Sequence, residues 1–410
     1  MTRSLLRPIE LLCAVSLLVV LHVTAAAQSR IVAIGDVHGA FPEFESILKE
    51  TGLLGAKRGA SGGWTGGTTV LVQLGDLVDR GPKTRACLDL VMALEQTTEK
   101  AKGKKGKVVA LLGNHEVMAM TGDLRYVAPE DYQSFATEQS EKIRQNAYRD
   151  YLSFLAARSE KEQPVSEPKW MADHPAGFFE RRDAFSPQGI YGRWLRQHDF
   201  AYQSGDIVFV HGGLSPKLAF KDIGDLNDQM KTALSAFDSS WQSLAKAGVI
   251  WRYMTFDEAV LEVQKERAAL PERETENTKL KDELEKFVRL ATWLTSEDNP
   301  TWYRGLAEDP EPTLAPSLDA MMSRLKIRTI VAAHTPTPDF QIRQRFGNRV
   351  FLIDTGMLKS VFGGKASALE IQGGRFTAHS LDQSPQILAP RSNAASAPAA
   401  AGQGGGASQP

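Results

Sequence analysis

Five short apolar runs, at residues 31–34, 71–74, 108–112, 206–210 and 329–333, each give way to a polar motif: GDVHG, GDLVDRGP, GNHE, HGG and HTP. A run of this length bounded by turn-forming residues reads as a buried strand. The polar residue that follows then stands at the strand's C-terminal edge, where open α/β sheets bind ligands. One such histidine or aspartate is often a satisfied core residue or a helix cap. Its repetition along the chain is hard to explain by packing alone, which makes the strand ends a candidate site. The segments between read as helices, with Phe44, Ile47 and Leu48 at helical spacing in one and Leu88, Val91 and Met92 inward in residues 84–95. The expected fold class is α/β.

Residues 71–82, LVQLGDLVDRGP, carry the densest chemistry. Asp76 emerges at the strand end, and Asp79 and Arg80 fall in the following loop. An acid and a cation beside a strand-end carboxylate suit a metal site that must also hold an anion. Alone, the stretch fits equally well a strand, a turn and a helix with an aspartate cap.

The 410 residues, 42% of them hydrophobic, allow one large or two ordinary domains. A net charge of -1 gives no bulk attraction to nucleic acid or to an anionic membrane. Arg3 and Arg7, the apolar run 11–23 and the small residues 24–27 read as a secretory signal cleaved after Ala27. The run is short of the ~20 apolar residues of a spanning helix. The expected location is therefore periplasmic or secreted, with an uncleaved anchor as the alternative. Cleavage leaves Cys87 as the one cysteine, a buried thiol with no disulfide partner. Residues 384–410 are Ala-, Ser-, Pro-, Gly- and Gln-rich and read as a disordered tail, so residues 28–383 form the expected catalytic domain.

Helical insertions are expected near 120–200 and 215–300. Residues 138–157 read as a helix, and 256–295 as a helical region broken near Pro271, with Leu280, Leu284, Phe287, Val288 and Ala291 as its core-facing stripe. Residues 174–188, rich in Phe, Arg and Gly, read either as a lid or as an ordinary surface excursion. The basic stretch 100–107 lacks interleaved aromatics and reads as a solvated turn. Residues 367–381 read as a hairpin around Gly373 and Gly374.

Asp36, His38, Asp76, Asn114, His211 and His334 are an oxygen and imidazole set that suits two borderline divalent ions such as Mn, Fe or Zn. Thiolate sites are excluded. In their order, GDVHG, GDLVDRG, GNHE, VHGG and AHT resemble the phosphoprotein-phosphatase branch of the calcineurin-like metallophosphoesterases, over about residues 30–372. HPAGFFERRDAF, WYRG and IDTGM look most like the bacterial Shewanella-like protein phosphatases.

The resemblance implies a central β-sandwich flanked by helices. It implies that Asp36 and His38 hold a first metal, Asp76 bridges both, and Asn114, His211 and His334 hold a second. It further implies attack on phosphorus by a metal-bridging hydroxide. Arg80 and Arg304 would clamp the phosphoryl group beside Asn114, and His115, oriented by Asp79, would protonate the leaving group. Bland alternatives are an Arg80–Asp79 surface pair and a cation–π contact of Arg304 with Trp302 or Tyr303. Where diesterases of the family carry a second histidine, this chain has Pro336, which favours monoesters. Ala333 replaces a common glycine, with a methyl that could shift His334. The implied substrate is a phosphoprotein bearing phosphotyrosine or phosphoserine/threonine, or a small phosphomonoester. A nucleotide or dinucleoside-polyphosphate hydrolase is the alternative of like chemistry, and a silent metal-binding scaffold is the one of different class.

Overall fold

Ile31–Ile34 forms the first strand of a computed structural model that describes residues 30–57, 62–103, 106–158, 163–270 and 278–390. The leader expected at 1–27, Pro271 and most of the expected tail lie outside these residues. In chain order the strands are β1 (Ile31–Ile34), β2 (Val70–Gln73), β3 (Lys107–Ala110), β4 (Ala201–Ser204), β5 (Ile207–Val210), β6 (Thr329–Ala332), β7 (Arg343–Arg345), β8 (Val350–Leu352), β9 (Ser367–Gln372), β10 (Arg375–Ser380) and β11 (Gln386–Ile387). The helices are α1 (Phe41–Glu50), α2 (Thr84–Lys100), α3 (Asn114–Thr121), α4 (Pro129–Phe135), α5 (Ser140–Ala156), α6 (Glu167–Asp173), α7 (Phe178–Phe185), α8 (Ile190–Leu195), α9 (Ile223–Lys246), α10 (Phe256–Ala269), α11 (Thr278–Leu294), α12 (Gly305–Glu308), α13 (Glu311–Leu325) and α14 (Lys359–Phe362).

Two mixed sheets result, in the orders β11-β10-β9-β1-β2-β3 and β4-β5-β6-β8-β7. β1, β2 and β3 pair in parallel, as do β5, β6 and β8, so these six strands deliver their C-terminal ends to one edge. Strand residues alternate between two cores although both faces are buried. Ile31, Ala33, Val72, Phe209, Val331 and Phe351 fill the space between the sheets, whereas Val32, Ile34, Leu71, Val208 and Ile330 face the helices. Phe351 and Phe376 stack at 4.4 Å in the inter-sheet core. This is the sandwich with flanking helices that the strand pattern and resemblance led us to expect.

The helical layer is built from segments 123–195 and 223–325. Thr255 and Glu258 cap the start of α10 reciprocally, and Leu284, Phe287 and Ala291 of α11 are buried in the core, with Leu280 and Val288 half-buried beside it. The hairpin β9–β10 turns at Gly373 and Gly374, both with positive φ. β11 carries the folded chain past residue 383, because Gln386–Ile387 pairs with β10 and Leu388 donates to the Phe376 carbonyl. No described helix is long and apolar enough to cross a membrane.

Residues 174–188 are neither lid nor surface excursion. Phe178, Phe179, Arg181 and Phe185 of α7 are buried, and Trp170, Phe178, Phe179, Trp251 and Tyr253 form an aromatic core of their own.

Candidate metal centre

The loops that leave the parallel strands are drawn together by glycines. A Cβ on Gly81 would lie 2.2 Å from the His38 carbonyl oxygen, and one on Gly113 would lie 2.2 Å from Asp76 Oδ1. The approach forces unusual backbone on the polar residues. His38, Asp76, Asp79, Arg80 and His334 all adopt positive φ, between 49° and 67°, a conformation costly for residues with a Cβ and found where surrounding structure overdetermines it.

Each of two carboxylates is anchored by one oxygen. Asp36 Oδ1 accepts from the His334 N–H (3.1 Å), and Asp76 Oδ1 accepts from the His115 N–H (3.0 Å). The second oxygen of Asp76 then faces three imidazoles, with Oδ2 lying 3.4 Å from His211 Nε2, 3.5 Å from His38 Nε2 and 4.0 Å from His115 Nε2. Asp36 Oδ2 lies 3.7 Å from His38 Nε2. His211 Nε2 also lies 3.0 Å from Asn114 Oδ1 and 3.2 Å from His334 Nδ1. All six residues expected to hold metals therefore meet in one buried space, each at most 5% exposed.

The protons of two histidines are spoken for. His211 Nδ1 is 2.8 Å from the Leu74 carbonyl oxygen and His38 Nδ1 is 3.0 Å from that of Val78. A carbonyl can only accept, so these nitrogens carry the hydrogens and both Nε2 atoms present lone pairs. Imidazole nitrogens, the Asn114 carbonyl oxygen and carboxylate oxygens thus converge on one space. His334 Nε2 is buried with no hydrogen-bond partner. Such a donor set fits divalent cations, and two groupings sharing Asp76 have the spacing for it: His38, Asp76 and His115, and Asp76, His211 and His334. Geometry alone places His115 in the first grouping. Its Nδ1, however, lies 2.9 Å from Asp79 Oδ2, which orients the ring from outside the centre.

Electrostatics agree with a centre that lacks positive charge. Burial, with Asp354 nearby, drives Asp36 well above the carboxylate range, and burial does the same to Asp76. Burial holds His38 and His334 well below the usual imidazole value. His115 is also lowered, by burial first and then by Arg80, with Asp123 working the other way.

Both arginines border the centre without a carboxylate partner among the described residues. The Arg80 guanidinium lies 4.3 Å from the Tyr126 ring and 5.3 Å from that of Phe362, and its Nε is buried without a partner. The surface pair with Asp79 does not form, because that carboxylate is engaged by His115 and Arg181. Arg304 donates to the His334 carbonyl (3.2 Å) and to Thr335 Oγ1 (3.0 Å), leaving the neighbouring aromatic rings aside. Ala333 causes no crowding, since its methyl lies in the inter-sheet core and its N–H donates to the His211 carbonyl at 2.7 Å.

Three buried charges were not anticipated from the sequence. Glu116 accepts from the N–H groups of Asp76 (2.6 Å), Leu77 (2.8 Å) and Gly113 (2.9 Å), fixing two ligand-bearing loops to each other. Burial and the neighbouring Asp76 raise its carboxyl to about 7. Asp354 stands beside Asp36 at the end of β8, and its strand-end position in IDTG repeats the pattern of the other five. Arg181, on α7, donates to Asp79 Oδ1 at 2.7 Å. His174 and His198 lie away from the centre, the first stacked on Trp170 and the second paired with Glu95.

Residues 29–338, well over half of the chain, match the model of the calcineurin-like phosphoesterase family. The chain is a calcineurin-like phosphoesterase. Among curated relatives, this phosphoesterase is 32% identical over 211 residues to Shewanella-like protein phosphatase 2 of Arabidopsis thaliana, covering 51% of this chain and 52% of the relative. It thus spans about half the length of that protein. It is 24% identical over 338 residues to Shewanella-like protein phosphatase 1 of Plasmodium berghei, covering 80% of this chain and 67% of the relative. Among solved structures, the cold-active protein-tyrosine phosphatase of a psychrophilic Shewanella shares the fold at a TM-score of 0.55, with 22% identity, over 88% of this chain and 80% of that one. Metallophosphoesterases of this family use two divalent metals, and the phosphoesterase's two His/Asp groupings fit them.

Proposed function

We propose that this phosphoesterase is an exported phosphatase using two divalent metals, and that it hydrolyses phosphomonoesters on protein side chains. One observation carries the reading. Asp76 Oδ2 faces three imidazole nitrogens within 4.0 Å, and two guanidiniums with no carboxylate partner among the described residues border the same space.

In this reading Asp36, His38, Asp76, Asn114, His211 and His334 would together hold the two cations, Asp36 and His38 serving one, Asn114, His211 and His334 the other, with Asp76 placed between the two groups. When bound, the cations supply Lewis acidity toward the phosphoryl oxygens and activate the attacking water. The chain's own residues do the rest. Arg80, stacked between two rings, and Arg304, tethered at His334, present fork-shaped donors that bind and orient the phosphoryl oxygens. His115, held through Nδ1 by the Asp79 carboxylate, which favours the imidazolium, turns Nε2 toward the site. As that imidazolium it gives the Nε2 proton to the departing oxygen and returns to the neutral ring. Pro336 removes the extra ligand of the diesterase pattern, which supports monoester hydrolysis. Export rests on the N-terminal pattern of residues 3–27, and N-terminal sequencing of protein recovered from the periplasm or medium should begin at Gln28.

The test is hydrolysis of para-nitrophenyl phosphate with added manganese by the wild type, His115→Asn and Asp76→Asn. Loss in both variants supports the reading, and equal rates in all three overturn it in favour of a silent metal-binding scaffold. A second reading, nucleotide or dinucleoside-polyphosphate hydrolysis, is favoured by Tyr126. Its ring is 38% exposed at the mouth of the site and could stack a base. A panel of phosphopeptides against mononucleotides and diadenosine polyphosphates separates the two by relative kcat/KM.

A further inference from the structure

We propose that Arg181 is a positioning residue for the phosphatase reaction, locking the Asp79 carboxylate in the orientation that holds His115. The proposal rests on the reading of His115 as the leaving-group acid. Arg181 is the largest fully buried side chain among the described residues, at 1% exposure. Its two outer donors serve two carboxylates: Nη2 reaches Asp79 Oδ1 at 2.7 Å, and Nε reaches Asp131 Oδ2 at 3.0 Å. The other oxygen of Asp79 lies 2.9 Å from His115 Nδ1.

A continuous chain of charged and polar groups therefore runs His115, Asp79, Arg181, Asp131, each at most 2% exposed. Asp79 has one partner on each oxygen, so its carboxylate cannot rotate away from the imidazole without breaking the bond to Arg181. Its N–H is also held, by Thr84 Oγ1 at 3.2 Å. Asp131 in turn holds the guanidinium from a second side, so that Arg181 keeps its place against Asp79. The Phe185 ring, 4.8 Å from the guanidinium carbon, closes the remaining face. Helices α4 and α7 of the inserted layer, not the sandwich, thereby determine where the acid's orienting group points. A fork that binds two separate carboxylates at fixed angles is a task for arginine and only in part for lysine.

The alternative is a structural staple that ties α7 to the loop and does nothing for the reaction. Leaving-group dependence separates the two, because a substrate with a good leaving group needs no proton donor and one with a poor leaving group does. Manganese-loaded full-length wild type, Arg181→Met, Arg181→Lys and His115→Asn are compared with phenyl phosphate and 2,4-dinitrophenyl phosphate. The ratio of the two kcat values within one preparation does not depend on the fraction folded. Arg181→Met should lower kcat for phenyl phosphate about 30-fold with KM within about twofold, and lower that for the dinitrophenyl ester by less than about threefold. Arg181→Lys should recover part of the phenyl phosphate rate. Equal losses on both esters in Arg181→Met overturn the proposal. If His115→Asn also loses both equally, the underlying reading of His115 falls with it, whereas a selective loss in His115→Asn alone leaves that reading standing and removes only Arg181. Should Arg181→Met not fold, Asp131→Asn loosens the same guanidinium, and the same selective or equal loss decides.

Discussion

Asp76 and Arg181 are equally buried, at 1% exposure, and their surroundings are opposite. Asp76 faces acceptors: imidazole lone pairs, Asp36 and Asp354 nearby, and a loop in left-handed backbone. Arg181 faces two carboxylates at hydrogen-bond distance and the ring of Phe185. The contrast extends to the regions around them. The floor at the strand ends gathers carboxylates and imidazoles on strained loops, and on the proposed reading its stability depends on the cations that would complete it. The helical layer holds its most buried guanidinium, Arg181, between Asp131 of its own helix α4 and Asp79 of the loop after β2, and pairs half-buried Arg158 with Glu262 and Arg196 with Asp238. One region is held together conditionally, and the other unconditionally.

Removing each residue should break the contrast in opposite directions. Asp76→Asn should lower kcat/KM by about three orders of magnitude or more, since several kcal/mol of charge stabilisation goes with it. In chelator-treated protein the same substitution should raise Tm by a few degrees, because one of several buried carboxylates stops repelling its neighbours. A fall in the metal-free Tm would end the idea that the floor is destabilised as built. Arg181→Met should do the reverse, destabilising metal-free and metal-loaded protein alike by about 3–5 kcal/mol in denaturant titration, as two buried carboxylates lose their cation.

Chelation of the wild type should cost about 2.7 kcal/mol for a site previously at a hundred times its Kd. Hydrogen exchange should localise the change to residues 35–40, 75–81 and 113–116, leaving α7 and α9 protected. Uniform loss of protection would show that the two regions unfold as one. The smallest effect concerns His174, whose ring stacks on Trp170 at 4.1 Å and whose neighbours include Glu258, Asp173 and Arg144. Burial lowers it from the ordinary value of 6.5, so the fold prefers the neutral ring. Its contribution is complete above about pH 6.5 and is lost as pH falls through the lowered value. His174→Gln should flatten this acid-side slope of Tm against pH by less than the effects above, with the metal-facing histidines supplying the remainder.

The strand ends were legible in the sequence because each is a local message, an apolar run followed within a few residues by its donor. Asp36, His38, Asp76, Asn114, His211 and His334 could all be singled out without knowing what lies across the fold. The partners that fix them could not. Glu116 meets the Asp76 N–H across 40 positions and Arg181 meets Asp79 across 102, and nothing near either residue announces the pairing. An arginine among phenylalanines in residues 178–185 reads as a boundary between surface and core, whereas the pair of carboxylates makes full burial possible. Asp354 is a different kind of omission. Its strand-end signal in IDTG is as clear as the others, but no histidine or second metal donor follows to mark it.

The hydrogen bond from the His334 N–H to Asp36 Oδ1 joins residues 298 positions apart. During synthesis, Asp36, Asp76 and Asn114 leave the ribosome long before His211 and His334 exist. Until β6 pairs with β5 and brings His334 to the edge, the early donors have too few companions to hold a cation pair. On the proposed ligand assignment, loading of the cation pair would accordingly be a late event in the life of each molecule, after His334, the last of its donors, has joined the edge.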